Sequence, residues 1–196
     1  LRDLEIRGAG NILGPEQHGS MIAVGYELYC RLLQQAIETM KGKKTDKKQK
    51  FEPKIDLKIN AYLPSSYVVN QQQKIELYRR IAALEKKEDL QDMVAELEDR
   101  YGHLQPPVEN LLLVMRLRQL AREKEVEAIE QQKNVIAIKF SKEKKFHSEQ
   151  LWQVVSKNRR CLSLLSGKGI TLKVKVSHEV EKDYLRYLIK ILEQVD

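Results

Sequence analysis

An α+β architecture is what the sequence predicts: an N-terminal helical hairpin, a basic linker, and a C-terminal domain of helices packed on antiparallel strands. Three observations lead there. Apolar residues alternate at period two in residues 54–60 and 170–176, with a further strand-like run at 135–140. Longer stretches around them repeat apolar residues at three- and four-residue spacing, as amphipathic helices do, and helices segregated from antiparallel strands make an α+β domain. Residues 41–50 contain no apolar side chain and split the chain into residues 1–42, a linker at 43–52 and a domain at 53–196.

Residues 4–19 read Leu-Glu-Ile-Arg-Gly-Ala-Gly-Asn-Ile-Leu-Gly-Pro-Glu-Gln-His-Gly. Clustered glycines signal positive φ or close backbone approach, and Ile12 and Leu13 want burial, which argues against a flexible linker. The stretch predicts a short helix, a tight ordered loop and a second helix, presenting Arg7 and Gln17. Residues 24–40 continue as an amphipathic helix through Tyr29, Leu33, Ala36, Ile37 and Met40, until Gly42 ends the pattern. The lysine-rich run that follows repels itself and has nothing apolar to order it, so it reads as a solvated tether.

In the domain, residues 54–60 place Ile55, Leu57 and Ile59 on one strand face, with Lys54, Asp56, Lys58 and Asn60 on the other. Helices are expected at 71–84, 88–101 and 106–124. The second carries Leu90, Met93, Val94, Leu97 and Tyr101 and is stopped by Gly102. The third starts at Pro106-Pro107 and is apolar almost all round, which makes it central. Strands at 126–129 and 135–140 precede a helix at 147–156 with Leu151, Trp152 and Val155 apolar. A hairpin at 162–165 and 170–176 and a last helix at 180–195, burying Leu185, Leu188, Ile189 and Leu192, complete the domain.

The formal charge of +7 suits an anionic partner, but the lysine run supplies much of it, which weakens the case for a basic face. Cys30 and Cys161 read as two buried thiols in a reducing compartment. With no long apolar run and no signal peptide, the expectation is a cytoplasmic protein without a membrane partner. The chain has no initiator Met and starts within an element, so it is expected to be a piece of something longer. Gly8, Gly10 and Gly14 depart from the dinucleotide-binding pattern, and the Ser166–Gly169 turn lacks the upstream glycine and following helix of a phosphate loop. His18, His103, His147 and His178 are scattered, so neither a metal centre nor a catalytic constellation is expected. One surface pattern stands out. On the helix at 88–101, Glu88, Asp92, Glu96 and Asp99 fall together opposite the apolar stripe. They form either an ordinary solvated face or an acidic strip for an arginine-bearing partner, which would relieve the repulsion between neighbouring carboxylates.

The stretch from Asp3 to Gly14, followed by Gln17-His18-Gly19 and Val24-Gly25-Tyr26-Glu27-Leu28-Tyr29, closely resembles the translocation motif of the bacterial transcription-repair coupling factors, the Mfd family. RecG helicases share a looser form, with another residue where His18 stands. Leu77-Tyr78-Arg79-Arg80-Ile81-Ala82 and Glu96-Leu97-Glu98-Asp99-Arg100-Tyr101-Gly102 resemble the C-terminal domain that this family has and RecG lacks. The resemblance implies part of an ATP- and Mg-dependent double-stranded DNA translocase that removes stalled RNA polymerase and recruits UvrA. It assigns Arg7, Gly8, Gly10, Gly14, Gln17, His18 and Gly19 to a motif that couples closure of the RecA-like motor lobes to movement. It assigns the C-terminal domain to autoinhibition by docking on the N-terminal UvrB-like module, with Glu96 and Asp99 matching interface carboxylates. No ATP-binding motif is present in this chain, so neither a cofactor nor catalysis is expected of it alone. Two other readings are an independent basic nucleic-acid-binding module, which the acidic helix counts against, and a stand-alone enzyme, which would need convergent titratable groups.

Overall fold

The computed structural model of the chain describes residues 52–141, 148–167, 169–176 and 183–195. The expected hairpin of residues 1–42, with Arg7, Gly8, Gly10, Gly14, Gln17, His18 and Gly19, lies outside them, as do Cys30 and the lysine run. The described elements are β1 (Lys54–Asp56), α1 (Gln71–Ala82), α2 (Lys87–Tyr101), α3 (Pro106–Glu123), β2 (Val126–Gln132), β3 (Val135–Phe140), α4 (Ser148–Lys157), β4 (Leu162–Ser166), β5 (Ile170–Lys175) and α5 (Tyr184–Glu193).

The strands form one sheet in the order β1-β2-β3-β5-β4. Ile55 pairs with Ile129, Ile129 with Ile138, Ile138 with Leu172, and Leu172 with Leu164. One apolar row therefore crosses all five strands on the face that meets the helices. The expectation of a purely antiparallel set is corrected at β1, which runs parallel to β2. A parallel pair needs a long crossover, and α1, α2 and α3 supply it between the two strands. β1 is also shorter than expected, because the Lys58 N–H leaves the ladder and donates to Gln131 Oε1 at 2.9 Å. The burial alternation continues past it regardless, with Leu57 and Ile59 half-buried. β2 runs on to Gln132 despite its polar end, since Glu130, Gln131 and Gln132 pair with Ala137, Ile136 and Val135 of β3.

Pro106 and Pro107 start α3 where helical N–H groups have no partner in any case. As expected, the helix is central, touching α1, α2, α5 and β2, with Val108, Leu111, Leu117 and Ala121 all buried. Its buried Gln119 donates to the carbonyls of Leu84 and Lys86, at 3.3 and 3.1 Å. Those bonds take up the bend between α1 and α2, and α1 ends at Ala82, ahead of the expected residue 84. The Asn70 side chain caps α1 by accepting from the N–H groups of Gln72 and Gln73. At the end of α2, Gly102 adopts a φ of 79° and the Tyr67 hydroxyl reaches the carbonyls of Leu97 and Gly102, at 3.1 and 3.0 Å. Near β1, the Glu52 carboxylate joins Arg118 at 2.5 Å and also Arg122, fixing the start of the described chain to α3.

Two burial expectations are corrected, and one apolar residue of the 147–156 helix lies outside the core. Trp152 is 59% exposed, and α4 turns Leu151, Val154 and Val155 inward instead. α5 buries Leu185, Leu188, Ile191 and Leu192, leaving Ile189 half-buried. Cys161 is half-buried rather than buried.

Leu117 has no exposed surface. Leu117→Ala is expected to destabilise the domain by about 3 kcal/mol, lowering the urea midpoint with an unchanged slope.

Candidate functional site

α2 turns Leu90, Met93 and Leu97 toward the core, with Val94 and Tyr101 half-buried beside them. At about 100° per residue, Glu88, Asp92 and Asp99 fall on the opposite arc, and Glu96 lies roughly 40° further round toward Met93. That phase decides their surroundings. Glu88, Asp92 and Asp99 are exposed and make no ion pair among the described residues, whereas Glu96 sits half-buried at the seam with α1. Glu88 and Asp89 also occupy the first turn, where the helix dipole favours carboxylates.

Arg80, in the last turn of α1, grips Glu96 with both arms: Nη1 to Oε1 at 2.7 Å and Nη2 to Oε2 at 2.5 Å. Arg100, one turn along α2, donates to Oε1 at 2.9 Å, and its guanidinium lies over the Tyr101 ring, 5.2 Å from the centroid. Hydrogen bonds from Arg80 and then Arg100 hold the Glu96 carboxyl down at about 2. The same bond raises Arg80 above its ordinary value. The Arg100 contact was legible as an i,i+4 pair. The Arg80 contact was not, because it joins two helices whose relative placement no local pattern encodes. The arrangement is a surface for charge-assisted recognition: three free carboxylates beside one that two guanidiniums already occupy. Among the described residues, no three His, Cys, Asp or Glu side chains converge as metal ligands, and no helix is long and apolar enough to cross a membrane.

The depressed Glu96 value has a direction. Its carboxylate stabilises the fold fully above the ordinary 4.5, and that contribution is lost as pH falls toward 2. Glu96→Gln is therefore expected to lower Tm near neutral pH, with the gap to the parent closing as thermal melts are taken from about pH 5 to about pH 2.

Comparison with known proteins gives consistent findings. The TRCF domain family model matches residues 57–151. The transcription-repair-coupling factor of Bacillus subtilis (strain 168) is 35% identical over 198 residues, covering 98% of this chain and 16% of that protein. Its counterpart in Staphylococcus haemolyticus (strain JCSC1435) is 32% identical, covering 98% of this chain and 17% of that protein. The chain thus spans about one sixth of the length of these relatives. A crystal structure of the C-terminal domain of a transcription-repair coupling factor superposes with a TM-score of 0.68 at 25% identity, over 75% of this chain and 93% of that one. The chain belongs to the transcription-repair coupling factor family, as a counterpart of that family's C-terminal region.

Proposed function

We propose that this chain is the C-terminal part of a cytoplasmic, ATP-driven double-stranded DNA translocase that couples transcription to nucleotide excision repair, removing stalled RNA polymerase and recruiting UvrA. Residues 1–42 are the element that relays closure of the RecA-like motor lobes, with Arg7, Gly8, Gly10, Gly14, Gln17, His18 and Gly19 as its motif. ATP and Mg belong to the motor, and this chain contributes no catalytic group. The domain at 53–196 restrains the machine by docking α2 on the N-terminal UvrB-like module, and the linker at 43–52 lets it swing away.

The observation that carries the docking reading is the row of exposed, unpaired carboxylates at Glu88, Asp92 and Asp99 beside the anchored Glu96. An arginine-bearing surface gains charge-assisted bonds from such a row, and the contact is sensitive to salt. The anchored residue also dictates how the reading is tested. Glu96→Arg would place a third guanidinium against Arg80 and Arg100, confounding lost docking with lost stability. Asp92→Arg plus Asp99→Arg changes only exposed, unpaired positions. Calorimetric titration of the 196-residue chain into the UvrB-like module is expected to show binding that weakens with salt and falls at least about tenfold in the double variant, with Tm unchanged. Equal binding by the double variant would remove the latch from α2.

A further inference from the structure

The two edges of the sheet are β1 and β4, and they are unequally protected. β1 has 3 residues, follows Pro53, and carries Lys54 and Asp56 on the face away from the helices. Shortness, proline and charge all discourage a further strand from pairing. β4 is Leu162-Ser163-Leu164-Leu165-Ser166, with no charge and no proline. It pairs with β5 in unbroken register from Leu162–Val174 to Ser166–Ile170, and no described strand lies on its other side. The Leu162 N–H is taken by Asn158 O at 2.8 Å, and among the described residues nothing else occupies the outer row of backbone donors and acceptors, which is therefore available to another strand from Ser163 onward. Leu164 packs against the core, while Leu165, alternating to the other face, is 48% exposed.

α4 borders this edge. Asn158, just after α4, accepts from the Tyr187 hydroxyl of α5 at 3.5 Å. One turn earlier on α5, the Tyr184 hydroxyl donates to Lys58 O at 3.3 Å, just past β1. β3 and β4 run parallel with β5 between them, and a right-handed β3–α4–β4 crossover turns the Trp152 and Ser156 flank of α4 outward past the β4 edge. Trp152 is the single tryptophan of the chain and is 59% exposed. At the start of the edge, Lys157, Arg159 and Arg160 are exposed and have no carboxylate partner among the described residues.

We propose that the free edge of β4, with Trp152 beside it, is a docking groove that takes an extended peptide segment as a sixth strand. The segment has apolar side chains at alternate positions, which fall on the helix side with Trp152, β-branched residues between them that lie beside Leu165 on the opposite face, and acidic residues at the end lying by Arg159 and Arg160. The unpaired backbone selects a strand, and the cations select its flank. A second copy fits less well. Antiparallel self-pairing would leave Arg159 and Arg160 of each copy without a carboxylate, since β4 itself carries none.

Because main-chain bonds supply most of the affinity in such additions, a generic probe suffices: a capped peptide of about nine residues, alternating Val and Thr, with Asp-Glu at one end. Titrated into the 196-residue chain, it is expected to give a saturable blue shift of Trp152 emission, half-complete at roughly 100 µM. N-methylation of alternate peptide nitrogens, which keeps the side chains but removes the donors, is expected to weaken binding at least about tenfold. So is Leu165→Lys, an exposed position at which circular dichroism verifies folding. No saturable shift at about 1 mM peptide, or equal binding of the N-methylated peptide, would overturn the proposal. Sedimentation as a dimer that Leu165→Lys dissociates would also overturn it and assign the edge to a second copy. None of these readouts involves Asp92 or Asp99, so the groove and the α2 latch stand or fall separately.

Discussion

A helix that is apolar around nearly its whole circumference has no face to give to water, and α3 imposes that constraint on every other described element. The sheet covers it through β2, α5 lies along it, and α1 and α2 cover what remains. Its two buried polar residues then have to be bonded where they stand, since an unpaired buried donor is costly. Gln119 does so by taking the Leu84 and Lys86 carbonyls, which fixes how α2 follows α1. Arg118 does so with the help of Glu52, which ties the beginning of the domain to its middle. The core requirement of α3 thereby sets the α1–α2 packing that brings Arg80 against Glu96. What α2 shows to solvent is a consequence of what α3 hides.

Much of this was legible in the sequence, and what was missed has a common cause. The apolar stripes of α1 and α2 and the all-round apolarity of α3 are local patterns, and the helices formed where those patterns ran. The parallel pairing of β1 is non-local: nothing in the residues around Ile55 says that three helices will return the chain to the same end of the sheet. The polar tail of β2 looked unlike a strand because its stabilisation comes from pairing with β3, which its own side chains do not signal. α5 offers apolar residues over a wide arc, so periodicity alone did not choose Ile191 over Ile189. The same holds for the acidic row. Spacing placed Glu88, Asp92, Glu96 and Asp99 on one arc, but only the tertiary fold separates the carboxylate that two arginines hold from the three that remain free.

That separation bears on the proposed latch. A docking element has to stay folded both when engaged and when released, otherwise release becomes unfolding. A bare row of carboxylates strains its own helix through like-charge repulsion, most of all when no partner is present. Arg80 and Arg100 neutralise the member of the row that lies closest to the core side, and Glu88 and Asp89 draw on the helix dipole. The undocked face is thus stabilised from within. The residues left to meet a partner are exposed ones, and exposed ion pairs contribute roughly 0 to 1 kcal/mol each. A few such contacts give an association weak enough to reverse, and covalent attachment, by holding the partner surface nearby at high effective concentration, would strengthen docking by this face. On that argument the linker is as much a part of the latch as the carboxylates are.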